Sequence, residues 1–393
     1  MEKKFIPLSV PNICGNELKY VTEALQDGWV STSGSDIARF EKDMASYLGI
    51  EGACAVQSGT AGLHLCLRHF GIGPGDLVLV PTLTFIASVN PIIYQGAEPV
   101  FCDCDKHLCI DAESLENWLV SDCEFDGCRT VEKKSGKTVK AIMVVHIFGD
   151  TADMDKLMDV AERYGLIVIE DATESLGSRF PAGRYAGRFT GTVGHAGVFS
   201  FNGNKIITTG GGGMVICREN GALDHIRYLS QQAKDDAVYF VNNEVGYNYR
   251  MTNLQACMGR AQLEQLDSFI QTKRANYRLY AERLADIGYS IQPFRDDGLS
   301  NCWFYSLLTG TLDSSVRDEL IRFLNQNGIQ TRPIWKLNHM QKPFAGARTL
   351  PCPNSEAFYA QVVNLPCSSD LSAADVEYVC QAIRAFRERT CHE

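Results

Sequence analysis

The chain has 393 residues, 45% of them apolar and 21% charged, enough for two packed domains. Its net charge of −10 argues against general affinity for nucleic acid or an anionic membrane, while leaving room for a local basic pocket that takes a phosphorylated small molecule. No apolar run is long enough to span a bilayer, and Pro7 and Pro11 interrupt the N-terminal stretch MEKKFIPLSVPN, so neither a membrane span nor a signal peptide is expected and the protein is placed in the cytoplasm.

Residues 16–26 and 36–48 carry the apolar spacing of helices. Residues 53–56 read as a short apolar strand, after which Ser58-Gly-Thr-Ala61 opens a helix through Phe70. The next strand, 77–80, is stopped by Pro81. A helix is expected over 84–94 and a strand over 99–104. Residues 123–140, CEFDGCRTVEKKSGKTVK, break the rhythm and read as an exposed hairpin or loop inserted before a strand at 141–145. A helix at 154–164 and a strand at 166–169 follow, then strands at 196–200 and 214–217. From about residue 252 the pattern changes to one long amphipathic helix over 254–280, then shorter elements and a last helix at 373–387. Apolar strands without polar alternation, separated by helices, predict an α/β fold with a mostly parallel sheet covered on both faces. The pattern change predicts a large domain, 1–252, and a smaller C-terminal α+β domain, 253–393.

The fifteen cysteines are scattered and odd in number, which suits small buried side chains in a reducing compartment. Cys102, Cys104 and Cys109 have a C-x-C-x4-C spacing, but no CxxC partner or matched histidine pair accompanies them, so no metal is expected.

The densest chemistry lies in SFNGNKIITTGGGG, residues 200–213. Lys205 sits between two strands, with Ser200 five residues before it and four glycines after it. Alone, this is either a turn or a place where a bulky group approaches the backbone. Ser58-Gly59-Thr60-Ala61 is either an ordinary N-cap or an anion site at a helix N-terminus. Glu170 and Asp171 end a strand, Glu174 lies one turn on, and Phe85 follows another strand end. In a doubly wound sheet all of these gather at one edge. A phosphate nest, an aromatic plate, a strand-end carboxylate and a lysine together fit pyridoxal 5′-phosphate. A nicotinamide site is not expected, since Gly71-Ile-Gly-Pro-Gly75 precedes a strand instead of opening a helix.

The motifs GWVSTSG (28–34), SGTAGLHL (58–65), PTLTFIAS (81–88), EDATESLGS (170–178), FSFNGNKIITTGGGG (199–213) and GYNYRMTNLQA (246–256) resemble, in order, those of the DegT/DnrJ/EryC1/StrS family of sugar aminotransferases. The wording around Lys205 and the insertion at 123–140 look most like its LegC-type subgroup. The resemblance implies the aspartate aminotransferase-like fold (type I of the pyridoxal phosphate enzymes). It implies that Lys205 forms the Schiff base and Asp171 pairs with the pyridine nitrogen. It places the phosphate on Gly59, Thr60, Ala61 and Ser200, the ring against Phe85, and the phenolic oxygen near Glu174, where the wider family has Gln or His. It implies that Asn248 reaches the cofactor phosphate of a neighbouring subunit, so the active unit is a homodimer with shared sites. Trp29, Ser31, Arg332, Trp335 and His339 become candidates for sugar-nucleotide binding, His339 equally a structural histidine. Lys273 and Arg274 read as a solvated helix face.

The reaction so implied is a ping-pong transfer from L-glutamate, leaving 2-oxoglutarate, with pyridoxamine 5′-phosphate carrying the amino group between half-reactions. The acceptor is a nucleotide-linked keto sugar, by subgroup C4 of a UDP-linked 4-keto-6-deoxy-N-acetylhexose. A 3-keto sugar and a non-catalytic regulator are the alternatives. A sugar 3-dehydratase of the same fold carries histidine where this chain has Lys205.

Overall fold

The computed structural model describes residues 4–391 apart from 220. Its main sheet contains β1 (Cys54–Val56), β2 (Asp76–Pro81), β3 (Glu98–Cys102), β4 (Thr138–Val145), β5 (Ile167–Asp171), β6 (Ala196–Ser200) and β7 (Gly213–Cys217), in the order β1-β7-β6-β5-β4-β2-β3. Strand β7 runs antiparallel to both β1 and β6, and the pairs from β6 to β3 are parallel. Helices cover both faces, which is why these strands are continuous apolar runs: Val78, Leu79, Ile142, Met143, Val168 and Ile169 are all buried.

The early helices form close to where their periodicity puts them: α1 (Glu17–Gln26), α2 (Ser35–Leu48), α3 (Gly59–His69) and α4 (Met154–Tyr164). The inserted segment is a hairpin, Cys123–Phe125 against Thr130–Glu132, whose second strand continues onto the start of β4.

Two expected helices are corrected. Residues 84–94 are not one helix: Phe85 is extended, a 3-10 turn covers Ile86–Ser88, and a short helix covers Asn90–Tyr94. Pro91 has no N–H to extend a helix back across that point. The long helix over 254–280 is two, α5 (Asn253–Leu263) and α6 (Leu266–Leu284). At the break the Gln262 side chain turns inward and bonds Thr208 N and Asn12 O, while Leu263 and Leu266 keep the apolar spacing that made the run look continuous. The strand expected at 99–104 stops at Cys102.

A second, antiparallel sheet has the order β8 (Ser290–Ile291), β9 (Tyr305–Leu308), β11 (Val362–Leu365), β10 (Arg332–Pro333). It packs with α6 and the final helix α7 (Ala373–Cys391). Thr252, at the expected domain boundary, is the N-cap of α5 in a capping box with Gln255. The chain crosses that boundary twice: Ile6 bridges to Ile329, and Arg348–Thr349 adds a short parallel strand beside β3. Among the described residues, no helix is long and apolar enough to cross a membrane.

Candidate active site

Parallel strands deliver their last residues to one edge of the sheet, and that edge holds the site. Asp171 pairs in register with Val145 on one side and Val198 on the other, and Ser200 pairs with Gly213. Antiparallel β7 therefore starts where its neighbours end, which brings the glycine run to the same edge. A cavity of about 660 Å³ opens there, lined among others by Gly59, Thr60, Phe85, Asp171, Glu174, Ser200, Lys205, Gly211, Gly212, Arg332 and Trp335.

Glycine is a steric necessity at Gly59, on the cavity wall, and at Gly213, the first residue of β7. A Cβ on Gly59 would lie 2.9 Å from Thr173 Cγ2 and 3.0 Å from Ser200 Cβ, so only glycine lets the α3 N-terminus close on Ser200. A Cβ on Gly213 would meet the Ser58–Gly59 backbone at 2.7–2.8 Å. Ser58 caps α3, its Oγ accepting from Ala61 N at 3.1 Å. The first-turn N–H groups of Gly59 and Thr60, which a helix leaves without intrahelical partners, belong to the cavity wall.

The two adjacent carboxylates at the end of β5 point to opposite faces, as a strand requires. Glu170 is structural. It accepts from His146 Nε2 at 2.7 Å and from the N–H groups of Gly191, Val193 and Gly194. Burial alone would raise its carboxyl, but His146 and those N–H groups outweigh burial and hold it below the ordinary range. Asp171 faces the cavity. Its Oδ2 accepts from Ser88 Oγ at 2.6 Å and its Oδ1 from Thr173 N at 3.1 Å. Thr84 Oγ1 lies 2.8 Å from Ser88 Oγ, so a relay Thr84 to Ser88 to Asp171 fixes the carboxylate while leaving acceptor capacity toward the cavity.

Lys205 Nζ stands 3.4 Å from Glu174 Oε1, and Glu174 Oε2 accepts from Phe148 N at 2.9 Å. Phe148 has a left-handed backbone, φ +56°, rare for a bulky residue. Burial pushes the Glu174 carboxyl up to about 7 from 4.5, and Asp171 adds to the rise while Lys205 and the Phe148 N–H oppose it.

The folded protein thus holds the Glu174 proton more tightly than the unfolded chain does. Stability present below about pH 4.5 is lost as pH rises to about 7, a loss on the order of 3 kcal/mol. Glu174→Gln should remove that component. In melting curves of cofactor-free protein at about pH 5 and about pH 8, the variant should gain on the wild type at the higher pH. A wild-type-to-variant gap that does not change with pH would refute this.

Other expected residues lie elsewhere. Ala61 is buried behind the cavity wall, its N–H committed to Ser58. Asn248 is exposed and bridges to Gln231, outside its own chain's cavity. Trp29 and Ser31 are exposed, and their carbonyls are held by Asn253. His339 is tied to Thr82 Oγ1 at 2.7 Å, and burial lowers its pKa. The solvated face expected at Lys273 and Arg274 is a correction. Lys273 is buried, with Nζ donating to the carbonyls of Trp303 (3.0 Å) and Cys367, and Arg274 Nε donates to Ser300 O at 2.6 Å. Cys102, Cys104 and Cys109 are buried core residues, and among the described residues no group of three ligands could hold a metal.

The sequence reading missed Ser88, Asn204, Trp303 and Phe304, all on the cavity wall. Ser88 had a usable signal, since it closes the PTLTFIAS motif; Trp303 and Phe304 read as an apolar run a hundred residues from Lys205.

A lysine amine, a fixed carboxylate, a helix N-terminus closed by glycine and an aromatic plate around one cavity suit pyridoxal phosphate in size and in charge, and with this sheet order they define a fold type I enzyme of that cofactor. Residues 11–384 match the DegT/DnrJ/EryC1/StrS aminotransferase family, and the chain belongs to it. It is 38% identical to GDP-perosamine synthase of Caulobacter vibrioides over 96% of this chain and 97% of that one. Identity to GDP-perosamine synthase of Escherichia coli O157:H7 is 37%, over 98% and 99% of the two chains. The crystal structure of the aminotransferase TlmJ from Streptoalloteichus hindustanus superposes with a TM-score of 0.87 at 28% identity, covering 98% of this chain and all of that one. The protein is accordingly a pyridoxal phosphate-dependent sugar aminotransferase.

Proposed function

We propose that this enzyme moves the amino group of L-glutamate to a 4-keto sugar carried on a nucleotide, most specifically C4 of a UDP-linked 4-keto-6-deoxy-N-acetylhexose. The observation that carries the chemistry is the convergence of Lys205, Asp171 and the α3 N-terminus on one cavity. The LegC-type wording of residues 199–213 and the inserted hairpin support the sugar.

When bound, pyridoxal phosphate supplies an electron sink that makes the donor's α-proton removable. With the cofactor bound, Lys205 Nζ would hold its aldehyde carbon and, once freed by the donor amine, would take the donor's α-proton and return a proton at C4′. Asp171 holds a proton at the pyridine nitrogen. Gly59, Thr60 and Ser200 bind the phosphate, joined by Ala61 N–H if Ser58 Oγ releases it. Phe85, 49% exposed and tilted against Trp335 with ring centroids 5.8 Å apart, stacks on the ring. A protonated Glu174 donates to the phenolic oxygen, which a carboxyl near 7 permits at neutral pH. Arg332 and Trp335, on the outer wall, meet the nucleotide sugar.

Exposed Asn248 completes the phosphate site of a second subunit, so the working unit is a dimer; Trp29, Ser31 and His339 serve the sugar nucleotide only from positions outside this chain's own cavity. The division at 252/253 separates the cofactor-binding part from a smaller domain that closes on it, and the enzyme works in the cytoplasm.

The match to two GDP-perosamine synthases favours a second reading, a GDP-linked acceptor. A panel of UDP-, GDP- and dTDP-linked 4-keto sugars with L-glutamate, read by the mass of the aminated product, separates the two. The expected product is the aminated UDP-N-acetyl sugar; product from the GDP-linked sugar alone would replace the first reading with the second.

A further inference from the structure

We propose that Trp303 is the positioning residue that seats Lys205, gripping both its amine and the backbone beside it. This rests on the assignment of Lys205 as the lysine that bonds the cofactor.

Lys205 sits in an irregular turn closed by backbone bonds, Lys205 N to Asn202 O at 3.0 Å and Thr209 N to Phe201 O at 2.9 Å, which hold the main chain and leave the lysine side chain to be aimed by other groups. Its side chain is a flexible four-carbon stem. Something outside the turn must therefore aim the amine. Trp303 touches it twice. Lys205 Nζ lies 4.1 Å from the centroid of the Trp303 indole, an attractive geometry for a cation on an aromatic face. Trp303 Nε1 donates at 2.8 Å to the carbonyl of Asn204, the residue before the lysine. The stem is thus held at its root and at its tip by one rigid side chain.

Trp303 is itself fixed on every side. It is 1% exposed. Its N donates to Phe148 O at 2.9 Å, and its carbonyl accepts from buried Lys273 Nζ at 3.0 Å. Its ring stacks on Phe304 with centroids 4.0 Å apart and planes 16° apart. Phe148 joins the two halves of the seat, since its N–H holds Glu174 and its carbonyl holds Trp303. Glu174 and the indole face then bracket the amine, 3.4 Å on one side and 4.1 Å on the other. The second sheet, through the residues leading into β9, thereby sets the geometry of a lysine carried by the first.

The reaction needs this, because the Lys205 amine leaves the cofactor and must return to the same place in each half-reaction. Misplacement of a reacting group by about 1 Å costs on the order of a hundredfold in rate.

The test measures how fast purified cofactor-free enzyme forms its lysine–cofactor bond on mixing with pyridoxal phosphate, by visible absorption and by borohydride trapping with peptide mass analysis. Trp303→Phe keeps a ring face but loses the Nε1 donor; it should slow bond formation at Lys205 about tenfold. Trp303→Leu loses both contacts and should slow it about a hundredfold. kcat should fall in parallel, with KM for the nucleotide sugar nearly unchanged. Thermal melting separates this from a structural role, which would lower the melting temperature without slowing trapping in the folded fraction.

If Trp303→Leu does not fold, wild-type protein carrying fluorinated tryptophan, compared with Trp303→Phe labelled the same way, tests the ring face alone. Labelling should slow trapping in the wild type and not in the variant. Trapping at Lys205 that is as fast in Trp303→Phe and in labelled protein as in the wild type would overturn the proposal. Wild-type trapping at some other lysine would instead overturn the assignment of Lys205.

Discussion

Lys205→Ala should yield a folded protein with turnover reduced by at least about 10⁴-fold and no visible absorption from a lysine-bound cofactor. Two functions vanish together. The amine that holds the aldehyde carbon is lost, and so is the base that moves the proton between the donor carbon and C4′. The other lysine on the cavity wall, Lys336, is exposed to solvent. The neighbouring cavity acid, Glu174, is 3.4 Å from the missing amine, but loss of the Lys205 charge pushes its carboxyl further up, and it stays anchored through Oε2 to Phe148 N. Folding should survive, because Lys205 is on a turn and its side chain is held by Glu174 and Trp303 without filling a core position. Loss of the Lys205 charge leaves Glu174 with the Phe148 N–H and the nearby Asp171 carboxylate, so the variant should melt at a slightly different temperature while remaining cooperative. Single-turnover assays with glutamate check the first point and absorption spectra the second. A variant that still turned over at a tenth of the wild-type rate would sink the assignment of Lys205.

Asp171→Asn should keep its cofactor through dialysis yet lose about 10- to 1000-fold in kcat. Asparagine has the same shape, and its amide can still meet Ser88 and Thr173, so the relay from Thr84 survives in outline. What disappears is the negative charge. A carboxylate in contact raises the proton affinity of a partner nitrogen by about 1–3 pKa units, each unit being about 1.4 kcal/mol, and the expected loss of rate is that factor expressed kinetically. The phosphate contacts proposed at Gly59, Thr60 and Ser200 are untouched by the change, so binding should fall less than rate. The pair of measurements is kcat and cofactor content after exhaustive dialysis. An unchanged kcat would remove Asp171 from the chemistry; lost cofactor with a normal rate on reloading would make it a binding residue only.

Much of this site was legible in the residues. Lys205, Asp171, Ser200 and the Ser58–Ala61 cap stand at strand ends, and in a parallel sheet all such ends face one edge. Even the choice between Glu170 and Asp171 follows from the strand's two-residue period once it is known which face is covered. The glycine run was visible as a turn. That Gly213 is needed to let the Ser58–Gly59 backbone pass appeared only when β7 was seen to lie between β1 and β6.

Other features escaped for definite reasons. The break between α5 and α6, at Glu264 and Gln265, leaves the apolar spacing intact, because the residues that part the helices are polar, and Gln262 in the last turn of α5 goes inward to Thr208 N and Asn12 O. Lys273 sits on an amphipathic helix where a lysine ordinarily reaches water; carbonyls from two other segments, at Trp303 and Cys367, capture it instead. Expectation failed there because the capturing groups are backbone atoms, which have no signature in sequence.

By itself, then, the sequence determined the α/β fold and the cofactor, and it singled out the lysine, carboxylate and phosphate-binding turn proposed to serve it. Those features are local: each is a residue type at a fixed distance from a strand end or helix start. Only the tertiary structure decided that Glu174 is pinned by Phe148, that Asp171 is fixed by Ser88, and that Trp303 from the second sheet lies against Lys205. Each of those contacts joins segments between 26 and 98 residues apart, the last being 303 less 205. Such contacts arise from packing of whole layers, and neither periodicity nor spacing along the chain encodes which side chains those layers bring face to face.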